Sequence, residues 1–152
     1  MILILLTFLN TFQAQAGATP CHFITPTEKG SYAYDIGKAY QAATVVLIAR
    51  AQDYVKEKPQ LVRVVRIVKG KADSEIKLEG IHSAGTDPWG AAIDVSKDFL
   101  LFLAGGPLYK WVDQGSGCSN VYEVHDGKVK IGKTEVRLEN LKQFFESNPP
   151  PI

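Results

Sequence analysis

Apolar residues fall into short runs separated by turn residues, a pattern that predicts a β-rich fold. Thr44–Arg50 is apolar almost throughout, as expected for a strand buried on both faces, and Phe99–Ala104 is apolar throughout, as expected for a central strand. Glu75–Glu79 alternates charged and apolar residues, as a half-exposed strand does. Leu61–Lys69 and Leu108–Val112 complete a set of five predicted strands. Short, closely spaced strands of this kind predict a small barrel or sandwich.

Two of these strands carry further information. Arg63 and Arg66 lie three residues apart, so they cannot share one face of a strand without a β-bulge. Tyr109 and Trp111 alternate on one side of the fifth strand, which favours an aromatic lining of the core or of its rim.

A hairpin is predicted after the fifth strand. Asp126-Gly127 separates Asn120–Val124 from Lys128–Ile131, and an Asp-Gly pair between two strand-like runs is typical of a two-residue turn.

Helical patterns occur at two places. Glu135–Ser147 has apolar residues at helical spacing, and Thr134 precedes it as a possible N-cap. Tyr34–Tyr40 is a second, shorter candidate helix.

The N-terminal segment differs in composition from the rest of the chain. No charged side chain occurs before Glu28, Ile2–Leu9 is apolar except for Thr7, and Ala14-Gln15-Ala16 has the small-x-small pattern of signal-peptidase sites. The apolar run is far shorter than the ~20 residues that span a bilayer. We therefore expect a signal peptide over residues 1–16, although no Lys or Arg precedes the apolar run, and a buried strand or helix is the alternative.

This division predicts a single domain over residues 17–148 and a disordered proline-rich tail over 149–152. The expected location is extracellular, or periplasmic in a bacterium, with no membrane insertion after signal cleavage. The mature chain would start at Gly17, Thr19 or Cys21.

The near-neutral net charge of the chain argues against one class of partner, the nucleic acids. The 152 residues include 17 Lys and Arg against 16 Asp and Glu, a formal net charge of +1. Because no strongly basic surface is available, we do not expect a nucleic-acid partner.

The two cysteines are Cys21 and Cys118. Thiols oxidise outside the cytosol, so export favours a disulfide between them. Such a bond would close a loop of nearly a hundred residues, worth ~4–5 kcal/mol in the chain-entropy model. Two free thiols or an intermolecular bridge are the alternatives.

Several segments in a fixed order carry a family resemblance. They are, in chain order, the lone Cys21, Ala42–Ala51, Val64–Gly70 with its terminal Lys-Gly, Gly90–Val95 before Asp98–Leu103, and Gly117-Cys118-Ser119. This order resembles the netrin-like domain and, within it, the inhibitory domain of the tissue inhibitors of metalloproteinases. The resemblance covers about Cys21 to Val124.

The resemblance implies a mainly β fold: a five-stranded OB-fold-like barrel with an extra β-hairpin and a C-terminal helix. It also implies that the N-terminal segment is joined to the barrel by a disulfide, with Cys21 matching an early cysteine of the family and Cys118 a late one.

The chain departs from the inhibitor pattern at its N-terminus. The inhibitors begin with Cys-x-Cys and chelate the protease zinc through the amine and carbonyl of the first cysteine. Here Cys21-His22-Phe23 lacks the second cysteine, and Gly85 and Thr86 stand where the family has a loop cysteine. Cleavage after Ala16 would also separate the free amine from Cys21 by four residues.

Enzyme chemistry finds little support in the sequence. The three histidines, His22, His82 and His125, form no H-x-x-x-H pair and are predicted in loops or turns, so we expect no metal site and no cofactor. Gly115–Ser119 lacks the spacing of a nucleophile elbow. We therefore expect no catalytic residues and no enzymatic activity; an enzyme that uses an unrecognised site is the remaining alternative.

Two loops are candidate partner-binding segments. Cys21, His22, Phe23 and Ile24 correspond to the N-terminal residues that enter the protease cleft in the resembled family, and Trp89 lies in a loop framed by glycine and proline. Packing against the barrel is the alternative role for Phe23, Ile24 and Trp89. The sequence predicts an exported, monomeric, non-enzymatic module that binds a protein. The alternative is a metalloendopeptidase inhibitor whose Cys21–Ile24 segment occupies the active-site cleft.

Overall fold

The computed structural model describes residues 24–26, 32–52, 59–79, 96–112 and 121–147. Within these ranges the elements are β1 (Ile24–Pro26), β2 (Tyr32–Tyr34), α1 (Ile36–Ala42), β3 (Val45–Ala51), β4 (Gln60–Lys69), β5 (Glu75–Leu78), β6 (Asp98–Gly105), β7 (Leu108–Trp111), β8 (Val121–His125), β9 (Lys128–Ile131), β10 (Thr134–Arg137), a 3-10 turn (Leu138–Asn140) and α2 (Leu141–Ser147). The predicted signal peptide and the proline-rich tail lie outside the described residues. No helix in the described ranges is both long and apolar enough to cross a bilayer.

Strands β3 to β7 form a closed barrel. β3 pairs with β4 and β6, β4 pairs with β5, β5 pairs in parallel with β7, and β7 returns to β6. The predicted mainly β, OB-fold-like five-stranded barrel is therefore confirmed, together with the C-terminal helix.

The barrel interior is filled by side chains of its own strands. These residues alternate along each strand, as the two-residue period of a strand requires. They are Val45, Leu47, Ala49, Val62, Ile76, Leu78, Phe99, Leu101, Leu103 and Trp111. Tyr109 packs against this cluster, so the predicted aromatic lining of the core is confirmed.

A second layer covers the outer faces of β3 and β6. β8 pairs with β6 and continues into β9 and β10. Together with α1 and α2, these strands bury the outward side chains Val46, Ile48, Leu100 and Phe102. The ring of Phe145 on α2 meets the Phe102 ring at 5.6 Å between centroids. Because both faces are covered, β3 and β6 are apolar almost throughout.

The irregular pattern of β4 comes from its pairing with β3. The register shifts twice, once between Val46 and Leu47 and once between Ile48 and Ala49. Arg63 and Arg66 lie on either side of the second shift, and both are exposed. This irregularity is the β-bulge without which two residues at a three-residue spacing could not share a face.

The predicted helix over Glu135–Ser147 is wrong in its first part. Thr134 is not an N-cap, because Thr134–Arg137 forms β10, antiparallel to β9. Gly132 has a φ of 60°, which allows the chain to reverse tightly after β9. The reversal places Val136 opposite Val129 in the outer core, and α2 begins only at Leu141.

The predicted short helix also begins later than expected. Tyr34 pairs with Ile24 in β2 instead. The Asp35 side chain accepts a hydrogen bond from the Lys38 backbone N–H at 3.0 Å, which caps α1 at Ile36.

Candidate functional site

Most of the predicted partner-binding residues lie outside the described part of the chain. This applies to Cys21, His22, Phe23 and Trp89, and also to Cys118. Ile24 is the first residue of β1, and its backbone pairs with Tyr34. The predicted disulfide and its predicted role therefore stay predictions.

His125 lies at the exposed end of β8. Its Nε2 is 3.0 Å from Oε1 of Glu123, which also contacts Lys97. In the described ranges, no three His, Cys, Asp or Glu side chains come together in a group that could hold a metal ion.

A different surface emerges on the outside of the barrel, formed by β4, β5 and β7. We call it the β5 face. Inward and outward side chains alternate along each strand. Val62 and Ile76 lie in the barrel interior, so their neighbours along the strand point outward. The outward side chains are Leu61, Arg63, Glu75, Lys77, Glu79, Leu108 and Lys110.

Cross-strand pairing arranges these side chains in rows. At one end, Arg63 lies opposite both Arg50 and Glu75, and Asp98 lies opposite Arg50. Arg50 Nε donates to Asp98 Oδ1 at 2.7 Å, and the Gln52 amide donates to Glu75. Two acids and two bases therefore balance along this charged row.

At the opposite end of the face, Glu79 and Lys110 form a single ion pair. Lys110 Nζ lies 3.7 Å from Glu79 Oε2. The Glu79 backbone N–H donates to the Tyr109 carbonyl, which continues the parallel contact of β5 with β7.

The central row has a different composition. Leu61 lies opposite Lys77, and Lys77 lies opposite Leu108. The two leucines are 37% and 39% exposed. Among the described residues, no acidic group forms an ion pair with the Lys77 ammonium. A cation therefore lies between two exposed apolar side chains, while charge pairs flank it on both sides.

A groove of about 460 Å³ follows the central row. Its other lining residues are Asp73, Glu75, Ile76, Pro107 and Tyr109. Since the two leucines leave apolar area in water, covering them would be favourable at roughly 25 cal/mol per Å² of apolar area buried. The groove is open to solvent and can accommodate side chains of a partner.

A second groove, of about 410 Å³, lies between β10 and α2. Its lining includes Glu135, Arg137, Asn140 and Gln143 and is mostly polar. β10 is four residues long and carries charged side chains, both typical of an edge strand that avoids pairing. The β5 face is therefore the stronger candidate.

Sequence reasoning missed the central row. Leu61 directly precedes Val62, so one of these two apolar residues must point away from the barrel interior, and this pattern was visible. The meeting of Lys77 with Leu108 was not visible, because it requires a parallel pairing between strands separated by β6.

Comparisons with models of protein families, with curated proteins and with solved structures find no match in any of the three. The netrin-like resemblance accordingly stays a prediction.

Proposed function

We propose that this protein is an exported, non-enzymatic, protein-binding module of the netrin-like type. The observation that carries the proposal is the β5 face, where Leu61 and Leu108 are exposed on either side of Lys77. Export is supported by the apolar segment and the small-x-small pattern within residues 1–16.

The shape of the molecule favours a protein over a small ligand. The barrel interior holds its own side chains, including the fully buried Leu47, Leu78 and Leu101, so a ligand must bind outside. An open groove buries little of a small molecule, whereas a protein surface can cover a groove and the charge pairs around it together.

Capture with the tagged full chain tests the proposal. The protein is incubated with the medium of its source cells, retained proteins are identified, and each is purified and titrated into the untagged chain by calorimetry. We expect one saturable partner with micromolar or tighter affinity. An unrelated tagged barrel is the control, and no protein retained above that control contradicts the proposal.

Metalloendopeptidase inhibition is the second candidate function. It is supported by the family resemblance and by β1, which starts at Ile24 and so fixes the backbone directly after Cys21–Phe23. Intact mass of the mature protein tests it first. A chain starting at Cys21 leaves a free amine on that residue, whereas a start at Gly17 or Thr19 removes the chelating group.

Titration of a metalloproteinase panel with pure mature protein then decides between the two functions. Loss of peptidase activity at an equimolar ratio supports inhibition. No loss at micromolar protein contradicts it and leaves the binding module.

A further inference from the structure

We infer that the β5 face binds an amphipathic helix of its partner, with one carboxylate of that helix over Lys77 and apolar side chains against Leu61 and Leu108. This inference rests on the proposed protein-binding function and names the chemistry of the partner.

The charges of the face select the carboxylate. The row through Arg63 and Glu75 is balanced by Arg50 and Asp98, and Lys110 lies beside Glu79. Two cations of the face, Arg63 and Lys77, form no ion pair among the described residues. Arg63 lies opposite Glu75, whereas Lys77 lies between the two leucines, with no acid opposite it on either neighbouring strand. A partner that covers the central row must desolvate this ammonium, and an acidic side chain compensates for the lost hydration.

The same pattern restricts where that acid can lie. Glu75 and Glu79 are two residues away from Lys77 along β5, on the same face. Acids placed over either glutamate are repelled. A single acid in the middle of an apolar stripe therefore fits the face, whereas a run of acids along β5 does not.

Backbone pairing selects a helix over an extended segment. β5 is paired with β4 on one side and with β7 on the other, so the face offers no free strand edge. An extended segment lying across the leucines would lose water from its backbone N–H and C=O groups without gaining partners. A helix brings these groups already paired.

The spacing of the row matches two helical turns. Neighbouring strands lie about 4.8 Å apart, so Leu61 and Leu108 are separated by roughly 10 Å across three strands. Seven residues of helix rise about 10.5 Å. A helix crossing the strands can therefore carry apolar residues two turns apart with an acid midway between them.

A titration followed by NMR tests the inference with the full chain. The probe is a synthetic alanine-rich helical peptide with two leucines two turns apart and one glutamate midway. Its twin carries glutamine instead of glutamate. We expect the backbone amide signals of Leu61, Lys77 and Leu108 to shift at millimolar peptide. The twin should bind about threefold weaker, the size expected for one partly exposed ion pair.

Two variants complete the test. Lys77→Glu should reverse the preference between the peptides, and Lys130→Glu on β9, which is also exposed, should leave it unchanged. No shift at the β5 face, or equal affinity for both peptides, overturns the inference. If the peptide test fails but the capture experiment yields a partner, the protein-binding function is supported and only the helix inference is contradicted. If the capture experiment also fails, both proposals are contradicted.

Other occupants of the face give distinct results. A single-stranded oligothymidylate that shifts the same amides, and loses this effect in Lys77→Glu, overturns the helix assignment in favour of a nucleic acid. A sedimentation mass that rises with protein concentration in wild type but not in Lys77→Glu overturns it in favour of a second copy of the chain.

Discussion

Two adjacent residues, Lys69 and Gly70, fix the junction between the barrel and α1. Lys69 Nζ donates to the carbonyl oxygens of Tyr40 at 2.6 Å and Gln41 at 3.0 Å, at the C-terminal end of α1. A cation at this end of a helix satisfies its unpaired carbonyls. Burial lowers the pKa of Lys69.

Gly70 directly follows Lys69 and has a φ of 78°. The Lys-Gly pair that supports the family resemblance thus has a structural role here.

Replacing Gly70 should destabilise the protein strongly. A Cβ at Gly70 would overlap the Thr44 carbonyl oxygen, in addition to the cost of a positive φ. We expect Gly70→Ala to lower the free energy of unfolding by about 3 kcal/mol. Gly127→Ala is the matched control, because Gly127 has a φ of 71° and open space around it. It should cost about 1 kcal/mol. Urea unfolding measures both, and equal losses would contradict this account of Gly70.

Tyr122 should make the protein sensitive to alkaline pH. Burial raises the pKa of Tyr122 above its ordinary value of 10.0. The folded state then holds the phenol proton more tightly than the unfolded state. The resulting stability is fully present below pH 10 and decreases as pH rises further, by up to about 1.4 kcal/mol per pH unit for one group.

Urea unfolding across this pH range checks the role of Tyr122. Tyr122→Phe should show a shallower decrease than wild type above pH 10, and the comparison at neutral pH gives the baseline cost of removing the hydroxyl. Parallel decreases in the two proteins would assign the alkaline instability to other groups.

At the level of elements, the sequence predicted a strand or turn correctly where its hydrophobic pattern fitted only one type of element. β3 and β6 are buried on both faces. The apolar run of β3 predicted this burial, and that of β6 predicted its central position in the sheet. The Asp-Gly turn was also predicted correctly, with Asp126 at a φ of 48° and Gly127 at 71°. β10 was missed, because its short alternation runs directly into the helical spacing of Leu138, Leu141 and Phe145.

Hydrogen exchange can distinguish β10 from the helix that the sequence predicted. In a hairpin with a two-residue turn, the residues next to the turn form a hydrogen-bonded pair, and such pairs alternate along the strands. The register Thr134–Ile131 and Val136–Val129 therefore predicts protected amides at Thr134 and Val136. The amides of Glu135 and Arg137 should exchange at least about a hundredfold faster.

A helix starting at Glu135 would give a different pattern. The first four N–H groups of a helix have no partner within it, so all four of these amides would exchange rapidly. NMR exchange rates that are equally fast across Thr134–Arg137 would contradict the strand.

At the level of the whole molecule, barrel closure creates the β5 face. β5 and β7 are separated in the chain by β6, and only their parallel pairing brings Lys77 next to Leu108. Spacing along the sequence contains no information about a contact between β5 and β7. The outward position of Leu61 on β4 could therefore be predicted, but the row formed by Leu61, Lys77 and Leu108 could not. Local patterns therefore predicted the barrel strands better than they predicted the candidate site.

The predicted disulfide between Cys21 and Cys118 also acts on the whole molecule. Closing a loop of nearly a hundred residues should stabilise the protein by about 4–5 kcal/mol in the chain-entropy model. We expect reductant to lower the melting temperature of the mature protein by roughly 10–20 °C. Cys118→Ala should melt at the lower temperature with or without reductant. Equal melting of the wild type in both conditions would exclude this stabilising bond.

The central claim is that the β5 face binds a protein partner through Lys77 and its flanking leucines. Calorimetry with the purified partner, using folded Lys77→Glu and Lys130→Glu variants of the full chain, tests it most directly. The account predicts affinity at least about tenfold weaker for Lys77→Glu, and wild-type affinity for Lys130→Glu. Equal affinities for wild type and both variants would show that the partner binds elsewhere on the molecule.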